Sequence, residues 1–92
     1  MTPEGRVKAK LKARLKAVGA YQFWPVQMGY GAATVDCLAA AFGRFVGIEC
    51  KREGVEKPTP RQARVMEQIR AAGGLTYLVT MENEKLKWIE VK

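Results

Sequence analysis

Hydrophobic positions along this chain change period from segment to segment, and each change marks an element. Val7, Leu11, Leu15 and Val18 recur at helical spacing, and Gly19 ends the run. Thr2-Pro3-Glu4 supplies its start: a hydroxyl N-cap, a proline at the first helical position and an acid in the positive first turn. Residues 20–26 hold aromatic and β-branched side chains and read as a first strand, which Pro25 confines to an edge or a strand end. Residues 27–34 are small and glycine-containing and read as a loop. Two short apolar runs follow, residues 36–42 and 43–51, joined through Gly43 as a hairpin. After a charged, turn-rich stretch over residues 52–58, Thr59 caps a helix that opens on Pro60. It runs to about Ala72 and stops at Gly73-Gly74. Residues 75–80 form a final strand, and this strand–helix–strand order suggests a right-handed crossover into a mixed sheet. The last segment, residues 82–92, is a short amphipathic tail in which Trp88 either docks on the domain or joins a subunit contact.

Charged residues break this pattern in one place. Side chains alternate across a strand, so Phe45, Gly47, Glu49 and Lys51 share one face while Val46, Ile48 and Cys50 share the other. Burying charge without a partner is costly, so an acid and a base at the end of an apolar strand need a cleft, an ion or each other. An antiparallel hairpin about residues 42–44 returns Asp36 to the neighbourhood of Glu49 and Lys51. On the first helix, Glu4 falls on the stripe of Val7, Leu11 and Leu15, whereas Lys8, Lys10, Lys12, Arg14 and Lys16 spread over the other faces. On the second, Gln62 falls with Met66 and Ile69; Thr59-x-x-Gln62 is also a capping box in its own right. Arg61, Arg64 and Arg70 face outward, as a solvated surface or as phosphate contacts. The aromatics of residues 20–26 are read as core rather than as a base-stacking platform.

Composition narrows the chemistry. Ninety-two residues with 48% hydrophobic content make one small domain spanning residues 1–92, near the lower size for a self-sufficient core. Sixteen basic against nine acidic residues give +7, which favours a polyanionic partner. With no run of 18 apolar residues and no signal-peptide pattern, the expectation is a cytoplasmic protein of a bacterial or phage-infected cell, without a membrane partner. Cys37 and Cys50 lack metal-site spacing and read as small core residues. The chain has no histidine, which excludes Ser-His-Asp and Cys-His catalysis and histidine zinc sites. Any hydrolytic chemistry rests on carboxylates, lysine and a hard metal.

Asp36 followed by Glu49-x-Lys51 on the next strand resembles the PD-(D/E)XK nuclease superfamily. With Thr59-Pro60-x-Gln62 and Gly73-Gly74 in the same order, the chain is similar to the virus-type replication-repair nuclease (VRR-NUC) domain. It departs from that pattern at Thr34-Val35-Asp36, where family members often carry Gly-x-x-Asp or Pro-x-Asp. The resemblance implies an α/β fold, a small mixed sheet flanked by helices with a restriction-endonuclease-like core. It implies Mg2+ or Mn2+ held by Asp36, Glu49 and the backbone carbonyl of Cys50, with Glu4 assisting. Lys51 would orient the attacking water and Gln62 would hold that water or a phosphate oxygen. Lys8, Lys12, Lys16, Arg52, Arg61 and Arg64 would contact DNA. The activity implied is endonucleolytic, on branched, Holliday-junction-like DNA in viral replication or DNA repair, by a symmetric homodimer. A bare Glu-x-Lys arises by chance in roughly a quarter of chains this long, so placement and order carry the match. The competing readings are a basic nucleic-acid-binding module without chemistry, a domain whose basic helix contacts an acidic protein, and a simple Glu49–Lys51 surface salt bridge.

Overall fold

The computed structural model describes residues 1–26 and 33–92. Its elements are α1 (Pro3–Ala17), β1 (Tyr21–Phe23), β2 (Cys37–Ala41), β3 (Arg44–Cys50), α2 (Pro60–Ala71), β4 (Leu75–Glu82) and β5 (Lys85–Glu90). Most of the stretch read as a glycine-containing loop, residues 27–32, lies outside the described residues. The strands form one sheet in the order β1-β2-β3-β4-β5, antiparallel except for the parallel β3–β4 pair that α2 connects. This is the mixed sheet with flanking helices expected from the element order.

One helix covers each face. Thr2 Oγ1 accepts the Gly5 N–H at 3.0 Å, which caps α1. The stripe Val7, Leu11 and Leu15 is buried against Cys37, Ala39, Val46, Ile48, Cys50, Val79 and Met81. Alternation then sends Gly47 and Glu49 of β3, and Thr76 and Leu78 of β4, to the opposite face, where α2 lies. Met66 is fully buried there.

The β2–β3 turn sets the register on which the site depends. Phe42 (φ 54°) and Gly43 (φ 76°) make a two-residue left-handed turn that matches the twist of the strands. The ladder runs from Ala41 opposite Arg44 to Cys37 opposite Ile48, so Asp36, one residue further, falls opposite Glu49. At the other end of α2 the two glycines have different reasons. Gly73 ends the helix at φ 99°. Gly74 admits a close approach: a Cβ there would stand 2.6 Å from Ile69 Cγ2 and 3.1 Å from the Phe45 carbonyl oxygen.

Four expectations are corrected. β1 is only three residues long, and Tyr21 and Phe23 are 71% and 53% exposed rather than core. They share the face of Leu38 and Gly47, but α2 packs only on β3 and β4 and leaves them uncovered. The tail is a strand: Asn83 (φ 52°) and Glu84 (φ 66°) turn the chain so that β5 pairs with β4, which itself runs on to Glu82. Trp88 therefore docks on its own sheet, edge-to-face with Tyr77 at 5.7 Å between ring centroids. Arg70 does not face outward; its Nη1 donates to Thr76 Oγ1 at 2.9 Å and to the Val91 carbonyl at 3.2 Å.

Replacing Gly74 by valine forces Ile69 and the Phe45 backbone apart. Urea denaturation is expected to show a loss of about 1–3 kcal/mol; an unchanged midpoint would contradict the close approach.

Candidate active site

The chemistry-bearing side chains meet where β3 ends, between the first turns of the two helices. Glu4 of α1, Asp36 before β2, Glu49 of β3, and Thr59, Arg61 and Gln62 at the start of α2 line a cleft of about 330 Å3. Glu4, Glu49, Arg61 and Gln62 are placed by regular elements, and Asp36 and Thr59 by the positions immediately before β2 and α2.

Asp36 takes over where β2 leaves off. Its Oδ2 accepts the Cys50 N–H at 2.9 Å, extending the ladder by one bond beyond Cys37. Its Oδ1 lies 3.6 Å from Lys8 Nζ, which is also 3.6 Å from Glu4 Oε2. Glu49 is only 3% exposed, and its Oε2 has no hydrogen-bond partner among the described residues. Burial, then a hydrogen bond to Asp36 and the like charge of Asp36, push the Glu49 pKa up to about 9, while Lys51 works the other way. The ion-free protein therefore keeps a proton on Glu49 at neutral pH. Burial works against the Lys8 charge, yet Asp36 and then Glu4 outweigh it and raise its pKa above the usual lysine value.

Gln62 serves two purposes. Its Oε1 accepts the Thr59 N–H at 2.9 Å and its own N–H donates to Thr59 Oγ1 at 3.2 Å, so the capping box is formed. Its side-chain NH2 is left for the cleft that the residue lines. Lys51 is half-buried and close enough to favour ionised Glu49, but it is not one of the cleft's walls. Cys37 and Cys50 are free and buried, and burial pushes both thiols up, Cys37 to about 11, so neither is a ready nucleophile.

A buried carboxyl oxygen without a partner, beside a second carboxylate in a polar cleft, is a donor set for a hard divalent cation. Among the described residues no three cysteine, aspartate and glutamate side chains stand close enough together to hold a metal ion between them. Magnesium does not require three, since it is usually held by one or two carboxylates together with waters and substrate phosphate. The Cys50 N–H points at Asp36, and in an extended strand the carbonyl of the same residue points to the same side. The residues present fit the ion.

No family model matches the sequence, and no curated protein matches it. Among solved structures, one described as a VRR_NUC domain superposes with a TM-score of 0.70 at 30% identity, covering 85% of this chain and 84% of that one. The chain belongs to the VRR-NUC family. A second, Hjc from Archaeoglobus fulgidus, a Holliday junction resolvase from an archaeal hyperthermophile, shares the fold. Its TM-score is 0.75 at 15% identity, over 94% of this chain and 75% of that one. The mixed sheet with a helix on each face is thus an arrangement that this chain shares with both structures.

Within that arrangement the basic residues divide. Lys16, Arg52 and Arg64 are exposed, and Arg61 is exposed on the cleft wall. Lys12 Nζ lies 4.9 Å from the centroid of the Trp24 ring. Lys8, read from the sequence as an outward DNA contact, instead turns in to Asp36 and Glu4. Its signal was the four-residue spacing from Glu4, which pairs an acid and a base on one helix face.

The raised Glu49 pKa makes stability depend on pH. Between the ordinary 4.5 and about 9 the folded chain binds one more proton than the unfolded chain, so stability falls as pH rises. In chelator, unfolding free energy is expected to drop between pH 6 and 8 by up to about 1.4 kcal/mol per unit. Glu49→Gln removes most of that slope, and equal slopes in the two proteins would refute the assignment.

Proposed function

We propose that this VRR-NUC domain is a Mg2+- or Mn2+-dependent endonuclease that hydrolyses phosphodiester bonds in branched DNA as a homodimer. The observation that carries the reading is the buried Glu49 with its unpartnered oxygen beside Asp36, on a chain of charge +7. Asp36, Glu49 and the Cys50 carbonyl would hold the ion directly, and Glu4, also on the cleft wall, would reach it through a water. A divalent ion bound there supplies a water of lowered pKa and balances charge on the phosphate. Lys51, which strand alternation puts on Glu49's face, would orient that water and stabilise the negative charge that builds on the phosphoryl oxygens. The Gln62 amide donates to the water or to a phosphate oxygen. Arg61 at the cleft wall, with Arg52, Arg64, Lys12 and Lys16 beyond it, contacts the phosphate backbone.

The choice of branched DNA is supported by the resolvase that shares the fold, and the dimer by a second surface. A groove of about 430 Å3 runs from the cleft, sharing Thr34 and Val65 with it, along Leu38, Phe45 and Ile69. None of its lining residues is charged, in a chain where 27% of residues are. Two copies of charge +7 approach with least repulsion at such a patch. A two-fold axis there sets two clefts beside one junction.

The decisive assay is gel-resolved cleavage of junction, flap and duplex DNA with Mg2+, with Mn2+ and with chelator. Metal-dependent cutting is expected to favour the junction. Asp36→Ala, Glu49→Ala and Lys51→Ala are each expected to lower the rate at least about 100-fold while junction binding persists. Cutting in chelator, or full activity in any of the three, defeats the reading. For the assembly, Phe45→Glu is expected to convert a dimer to a folded monomer in sedimentation velocity, whereas Phe42→Glu, at the 87%-exposed turn, leaves it a dimer. A wild-type monomer at micromolar concentration rules the dimer out.

A further inference from the structure

Lys8 presents a problem that the metal reading does not solve. Its ammonium stands 3.6 Å from both Glu4 Oε2 and Asp36 Oδ1, two of the oxygen-bearing side chains assigned to the cation. The Asp36 side chain is 13% exposed and that of Lys8 35%, so water screens this contact less than it would a surface pair. A carboxylate cannot serve a lysine and a divalent ion equally at one place, because the two cations repel each other there.

We infer that Lys8 is the resident counter-ion of the carboxylate cluster, holding Asp36 and Glu4 together in the ion-free protein and competing with the divalent cation for them. The inference rests on the metal site proposed above and adds to it a residue that opposes loading. Two features suit Lys8 to the task. At 3.6 Å the contacts are longer than hydrogen bonds, so the pairing is electrostatic and is given up without breaking directional bonds. The ammonium is also a compact charge on a flexible four-carbon stem, and it can swing aside while α1 stays packed through Val7 and Leu11. In the ion-free state Lys8 offsets the repulsion between carboxylates that would otherwise splay the cleft.

The test is Mn2+ binding to DNA-free protein, followed by isothermal titration calorimetry. Lys8→Met is expected to bind Mn2+ about tenfold tighter than wild type, from the loss of one nearby positive charge. Lys8→Arg, which keeps the charge, and Lys10→Met, whose lysine reaches the Glu84 carbonyl elsewhere, are expected to stay within about threefold of wild type. Structural damage would weaken binding, so tighter binding is a result that a merely structural role does not give. Lys8→Gln serves as the second neutral variant, and circular dichroism melting confirms that each protein is folded. Unchanged or weaker Mn2+ binding in both neutral variants, with wild type binding normally, overturns the inference and leaves the metal site standing. Failure of wild type itself to bind Mn2+ removes the metal site and the inference together.

Discussion

The 2.9 Å hydrogen bond from the Cys50 N–H to Asp36 is the contact on which the site's geometry depends. β2 begins only at Cys37, so without it the next donor of the ladder on β3 would be buried with nothing to accept it, at a cost of about 1–3 kcal/mol. By accepting that donor, Asp36 does the work of a backbone carbonyl and is locked opposite Glu49. The position of the acid pair thus follows from sheet register, and the register follows from the left-handed turn at Phe42 and Gly43. A site built this way is fixed by the same hydrogen bonds that hold the strands together.

The same register creates an electrostatic difficulty. It forces two carboxyls together and takes one of them almost entirely out of water. The ion-free protein relieves this by keeping a proton on Glu49 and by turning Lys8 in to Asp36 and Glu4. Both are partial remedies, since Glu49 Oε2 still has no partner. A glutamine or an aliphatic side chain would settle more comfortably into the same space. Packing therefore does not account for an acid at this position, which is the physical ground for the metal site proposed above.

Much of this was legible in the sequence, and the failures have a common cause. Capping chemistry located both helices within a residue, because Thr-Pro at each start and glycine near each end act locally. Alternation and hairpin pairing were enough to bring Asp36 to Glu49, since strand periodicity leaves few choices of register. What could not be read depends on which surfaces the neighbouring elements reach. Tyr21 and Phe23 look like core residues by type, but α2 stops short of them. Lys8 and Arg70 look solvent-facing on a helical wheel, but Asp36 in one case and Thr76 in the other wait for them across the fold. The β5 turn escaped because it is made by Asn83-Glu84 rather than by a glycine-bearing pair.

The two sides of the cleft are not held equally. β3 is a central strand with neighbours on both edges, and its last five residues are buried, so Glu49 and the Cys50 backbone sit in the most constrained part of the molecule. α2 has a single fully buried side chain, Met66, and is pinned at its far end where Ile69 presses on Gly47 and Gly74. Its near end, which carries Arg61 and Gln62, has no fully buried side chain and is held by the capping box and partly buried contacts. Elements with little buried apolar surface open most readily. The groups that would grip an ion are thus on the rigid wall and those that would meet a bulky polyanion on the yielding one, a division that would let the proposed DNA substrate enter without disturbing the spacing of the carboxylates.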